Sequence, residues 1–215
     1  MRNNYLQYQI NNLTEELEVQ GRDSVQIATA KMVEGFKMIP AKVVNNSINK
    51  RDNLITINKG EADGVRKNMG VISGTGVVGV VFITGEHYSV VIPALSSHSS
   101  ISCKIDKKGY FGYLKWEGGP CNMAYVDDVP RHAHFKLYDR VVTSGFSSIF
   151  PPGIPVGKIL HVLNSSDGIS YRLQVQLYTD FSRLRDVCVV DNSGVHEQLE
   201  LLREAQDSLT VKQSN

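Results

Sequence analysis

Apolar positions near the start of the chain recur at helical spacing. Leu6, Ile10, Leu13 and Leu17 fall four, three and four residues apart, with Asn, Gln and Glu between them. That a/d alternation predicts a coiled coil, because a helix lying on a globular core carries a wider apolar face than this narrow stripe. Two heptads nucleate poorly on their own, so the segment reads as the end of a longer coil. Gly21, Arg22, Asp23 and Ser24 then break or bend the helix, and residues 25–35 fit either a further helical turn or an early strand. We assign 1–35 to coil and connector.

From Phe36 the period changes from helical to short β-branched runs separated by Gly, Asn, Asp and Ser. The first series covers 42–44, 54–57, 70–72, 77–82, 89–92 and 99–105, and the second 112–116, 123–126, 140–143, 156–162, 172–177 and 186–190. Strand signals at this spacing predict a mainly β protein. Two sets of about six strands predict two small barrels filled by side chains, the first over 36–108 and the second over 109–191. The last strand, near 180–191, either belongs to the second barrel or returns to complete the first. Gly76 and Gly79 lie inside a run, where bulges or tight corners explain them best. Residues 192–215 turn polar, with a weak helical stripe at Leu199, Leu202, Ala205 and Leu209, and read as a tail.

Composition narrows the function classes. The 215 residues are 41% hydrophobic and 21% charged, enough to bury a core. Lys and Arg number 23 against 22 Asp and Glu, a net charge of +1, which excludes a global electrostatic footprint for nucleic acid. Cys103, Cys121 and Cys188 are far apart and odd in number, so they read as ordinary thiols rather than a paired framework or a zinc site. The most apolar stretch, 70–83, is short and interrupted by Gly, Ser and Thr, whereas a spanning helix needs about 20 apolar residues.

Two local signatures carry more information. The first is INKGEADGVRKNMGV at 57–71, followed by GVVGVV at 76–81; Gly60 and Gly64 supply turn positions around Asp63. The second is DRVVTSGFSSIFPPGIPVGKI at 139–159. There Gly145, Pro151, Gly153, Pro155 and Gly157 stiffen a loop that either closes a barrel corner or presents Phe146, Ile149 and Phe150 to a partner.

Together these segments resemble the MreC family of rod shape-determining proteins. The pattern G-x-x-x-G-V-x-x-x-M-x-V, then G-x-V-G-x-V, then V-x-T-S-G-x-x-x-x-F-P-x-G-I-P-V-G-x-I occurs here in that order, with Gly112 and DFSRLRDVCVV at 180–190 also in place. The resemblance covers about 42–191. It implies two barrels of chymotrypsin-like type in a dimeric protein on the periplasmic face of the inner membrane, anchored by an N-terminal helix that this sequence does not contain. The implied role is a non-catalytic scaffold of the cell-elongation machinery, without cofactor or metal. The implied partners are a second copy, in dimers or filaments, MreD, MreB, RodZ, RodA and the elongation-specific penicillin-binding transpeptidase. The sequence departs from the family pattern in its short coil and at 92–98, where IPALSSH replaces a Leu- and Asp-rich segment.

His98, Asp127 or Asp128, and Ser144 follow the order of a chymotrypsin triad, but Ser144 lies in TSGFS, without the frame that sets an oxyanion hole. His132 and His134 could share one strand face as a metal pair, yet no third ligand is evident, which favours solvated histidines. The G-x-G-x-x-G of Gly74, Gly76 and Gly79 precedes a strand-like run, where a dinucleotide motif would open a helix. A periplasmic adaptor of a transport pump is the other alternative; it needs a returning helical arm, and the clear helix here is at one end only.

Overall fold

The computed structural model describes residues 36–165, 168–192 and 201. The coil predicted over Leu6, Ile10, Leu13 and Leu17, and the tail apart from Asn192 and Leu201, lie outside the described residues. Twelve strands are described: β1 Lys37–Asn46, β2 Ile55–Ile57, β3 Gly70–Ser73, β4 Gly76–Thr84, β5 Ser89–Pro93, β6 Ile101–Ile105, β7 Phe111–Lys115, β8 Met123–Pro130, β9 Arg140–Thr143, β10 Pro155–Asn164, β11 Ser170–Leu177 and β12 Asp186–Asp191. They close into two six-stranded barrels, β1-β12-β3-β4-β5-β2 and β10-β11-β8-β7-β6-β9.

Each barrel is filled by the inward residues of its alternating strands. Ile55, Ile57, Val71, Val81, Val91 and Val189 fill the first, and Ile105, Leu114, Val126, Ile159, Leu173 and Val175 the second, all essentially without exposure. A barrel this narrow has no room for a lumen, so burial of these side chains is its main stabilising term.

The two barrels are copies of one plan. Reading β3-β4-β5-β2-β1-β12 against β9-β10-β11-β8-β7-β6 gives the same neighbours throughout. Registers agree as well. Val71 faces Gly79 as Val141 faces Gly157, and Val81 faces Val91 as Ile159 faces Val175. Val71 also faces Val189 as Val141 faces Ile105. Bulges recur at matched sites, where the register shifts between Val71 and Ile72 in one copy and between Pro155 and Gly157 in the other.

The closing strands are exchanged between the copies. β6 follows β5 in the chain but pairs with β7 and β9, while β12 follows β11 but pairs with β1 and β3. The expected boundary near 108 is therefore corrected: 101–105 belongs to the second barrel, because strand patterning reports alternation and not which barrel a strand enters. The second barrel is one continuous segment inserted into the first. β1 also begins earlier than the apolar run at 42–44 suggested. Pro40 lies in it, on a stretch paired with β12 alone, where the missing N–H leaves no second ladder unbonded.

This connectivity gives a test. Residues 99–179 expressed alone should keep a cooperative thermal transition by circular dichroism, while 36–98 alone, lacking β12, should show none. Cooperative unfolding of the shorter piece would contradict the strand exchange.

Candidate docking site at the inter-barrel corner

The loop between β9 and β10 is built around Thr143, which is fully buried. Its hydroxyl donates to the Pro151 carbonyl (2.6 Å) and accepts from the Ile154 N–H (2.9 Å), while its carbonyl accepts from Gly153 N–H (3.0 Å). Ser144 Oγ lies 2.8 Å from Ser102 Oγ and accepts from the Phe146 N–H at 3.1 Å. Gly145 turns the chain at φ +82°, a left-handed conformation unfavourable to other residues, and a side chain there would strike Pro152. The corner is thus held by hydrogen bonds at one end and by Pro151 and Pro152 at the other.

That stiffness aims three apolar residues in different directions. Phe150 is 2% exposed and seats on Gly70 at the start of β3; a Cβ on Gly70 would come 2.6 Å from the Phe150 ring and 2.7 Å from the Ile149 carbonyl. Ile149 is half-buried against the same core. Phe150 is therefore corrected from partner contact to inter-barrel wedge, since glycine at position 70 leaves the hole that its ring fills. Phe146 points outward at 67% exposure, its ring 4.3 Å from that of Phe111 on β7.

Further contacts close the seam. Gly76 meets the backbone of Pro155, Thr179 donates to the Val77 carbonyl (2.8 Å), and Asn192 Nδ2 donates to the Ser148 carbonyl (3.0 Å). The other predicted structural positions fall in turns and bulges. Gly60 and Gly64 flank the 3-10 turn Glu61–Asp63, while Gly79 and Gly157 sit beside the matched bulges.

Beside Phe111 and Phe146, the outer face of the second barrel carries Tyr113 on β7, Tyr125 on β8, and Arg172 on β11. The Arg172 guanidinium lies 4.2 Å from the Tyr125 ring and pairs with Glu117 (2.7 Å) and Asp127 (3.2 Å). The sequence reading missed Phe111, Tyr113 and Tyr125; alternation around the buried Gly112 and Leu114 was the available signal. Aromatic residues with Arg are the side chains most enriched at protein interfaces.

The groups weighed for chemistry are engaged apart from one another. His98 Nε2 lies 3.3 Å from Asp52, Asp127 is paired with Arg172, and Ser144 with Ser102, so no triad is assembled. His132 meets the edge of the Tyr110 ring, and among the described residues no cluster of His, Cys, Asp or Glu could hold a metal. Burial pushes the Cys103 thiol up to about 12, against a smaller lowering by the Leu114 backbone; burial and then the Asp186 charge push Cys188 up to about 11. Both are packing residues.

Two six-stranded barrels of one topology, joined face to face by a Pro- and Gly-stiffened wedge, define a tandem β-barrel protein. The family model of the rod shape-determining protein MreC, barrel core, matches residues 43–191, and the chain belongs to that family. The cell shape-determining protein MreC of Listeria monocytogenes is 27% identical over 165 residues, covering 75% of this chain and 56% of the relative. The chain thus spans little more than half of that protein's length. A solved MreC structure from Listeria monocytogenes superposes with a TM-score of 0.69 at 26% identity, covering 90% of this chain and 97% of that one. A further likeness, at TM-score 0.55 and 16% identity over 72% of this chain and 99% of the other, is to a complex between a penicillin-binding protein (PBP2) and MreC from Helicobacter pylori; it bears on the fold.

Gly70→Val should destabilise by about 1–3 kcal/mol through overpacking. Phe150→Ala should cost about 3–5 kcal/mol, and Phe146→Ala at most about 0.5 kcal/mol. Urea denaturation of the three variants checks that order; equal losses for Phe146 and Phe150 would refute the division of roles.

Proposed function

We propose that this chain is a non-catalytic scaffold of the cell-elongation machinery, working at the periplasmic face of the bacterial inner membrane by holding partners rather than transforming them. The observation that carries the reading is the exposed pair of Phe146, on the Pro- and Gly-stiffened loop, and Phe111, on β7. A preorganised aromatic anchor loses little conformational entropy on binding, which is what a docking surface needs.

The partner for that face is the elongation-specific penicillin-binding transpeptidase. The Helicobacter pylori relative, solved in complex with a penicillin-binding protein, supports this choice. MreD, MreB, RodZ and RodA complete the proposed assembly. The coil of Leu6, Ile10, Leu13 and Leu17 makes the chain a dimer, so that two docking faces act with avidity; longer arrays of copies extend the same logic.

Phe146→Ala and Phe111→Ala, made in the full chain, should each raise the Kd for the transpeptidase about tenfold or more while leaving the thermal midpoint nearly unchanged. Calorimetric titration reads this directly, and undiminished affinity in the double variant would move the contact elsewhere. Polar replacement of the four coil residues should lower the mass by light scattering without altering the strand signal in circular dichroism. A mass unchanged from a dimeric parent would remove the coil from the proposal.

A further inference from the structure

Because the barrels are copies, each serves as a control for the other, and the comparison exposes a face that barrel closure does not explain. On the outside of the first barrel, Met38, Val190, Gly70, Val80 and Ile92 stand on one rung, each directly opposite the next. Phe150 and Ile149 cover the Gly70 part of it. Beyond that cover the apolar face continues through the pairs Val80–Ile92 and Ile83–Val90, with Phe82 in the bulge between them. Ile83 is 55% and Phe82 42% exposed.

The same two pairs in the second barrel are Lys158–Gln176 and His161–Gln174. Identical geometry there is satisfied by polar side chains, so the aliphatic set on the first barrel is not a requirement of the fold. A contiguous exposed apolar patch of this kind marks a surface that something covers.

We propose that residues 193–215 of this chain are the cover, docking the stripe of Leu199, Leu202 and Leu209 on Val80, Ile83, Val90 and Ile92. Three observations support this occupant, independently of the partner reading above. The first is position. Asn192 is fixed to Ser148, and Asp191 lies 3.7 Å from Arg66, in the segment hydrogen-bonded alongside Val81. From β12 the face is two to three strand spacings away, about 10–14 Å, and residues 193–198 span up to about 20 Å.

The second observation is phase. Leu201 is helical and 60% exposed, and a helical period carried through 199–202 would set Leu199 and Leu202 on a different side from it. The third is charge. Glu197, Glu200, Glu204 and Asp207 follow the stripe, while Arg66 and Lys67 stand exposed at the rim, with the Lys67 ammonium 5.7 Å from the Phe82 ring centre. The seam that Phe150 begins is thereby extended over the rest of the same face.

Disulfide trapping in the full chain tests this. In a Cys121→Ser background, Ile92→Cys with Leu202→Cys should close within one chain about tenfold faster than the control Gln176→Cys with Leu202→Cys, since docking raises the local concentration of the tail thiol. Equal rates would overturn the proposal, and so would Ile92→Cys cross-links that run mainly between chains, which would give the face to a second copy. Independently, Leu199→Asp with Leu202→Asp, which leaves the barrels untouched, should raise binding of a hydrophobic dye severalfold. Unchanged dye binding would also overturn it.

Discussion

Closed barrels leave little free strand edge, so packing between two of them runs mainly through their outer faces. In this protein the join is the seating of Phe150 in the hole left by Gly70. Around that contact lie the Thr143 hydrogen bonds that aim the loop, the Gly76–Pro155 approach, and the Thr179 and Asn192 bonds. A larger residue at position 70 would displace a corner stiffened by Pro151 and Pro152, which has few alternative conformations to relax into.

Exchange of the closing strands reinforces the seam. The chain crosses between barrels twice, once before β6 and once before β12, so the second barrel is tethered at both ends to the first. Lys37 pairs with Asp191, which means the segments preceding β1 and following β12 attach to the first barrel at one rung. Whatever those segments do is therefore transmitted to the first barrel, and the Asn192–Ser148 bond carries the β12 end on to the loop that holds Phe146.

Much of the fold was legible because small barrels write a period of two into the sequence, and the runs around Val71, Val91, Val126 and Val175 obey it. The pairing of β6 and β12 was not legible, since alternation at Cys103 and Ile105 reads the same in either barrel. Phe146 and Phe150 were recognisable as a pair of loop aromatics, but only the glycine at position 70, more than seventy residues away, separates wedge from anchor. The outer apolar face was hidden for a different reason. In GVVGVVFI both faces of β4 are apolar, which resembles a strand buried on both sides.

The two uncovered surfaces differ in chemistry, and the difference argues for different kinds of partner. On the second barrel, Phe111, Tyr113 and Tyr125 combine broad rings with polar handles and a neighbouring Arg172, a set that tolerates water when unpartnered and gains sharply when desolvated. On the first barrel, Val80, Ile83, Val90 and Ile92 are aliphatic and β-branched, with no polar atom to satisfy in water. Leaving them bare costs about 25 cal/mol for each Å² of apolar surface, a cost incurred whenever the cover is absent. A surface of that kind suits an occupant supplied by the same chain, whose local concentration does not depend on assembly. The aromatic surface suits one that arrives and leaves; under the two proposals the duplicated barrel would serve a resident contact with one copy and an exchangeable contact with the other.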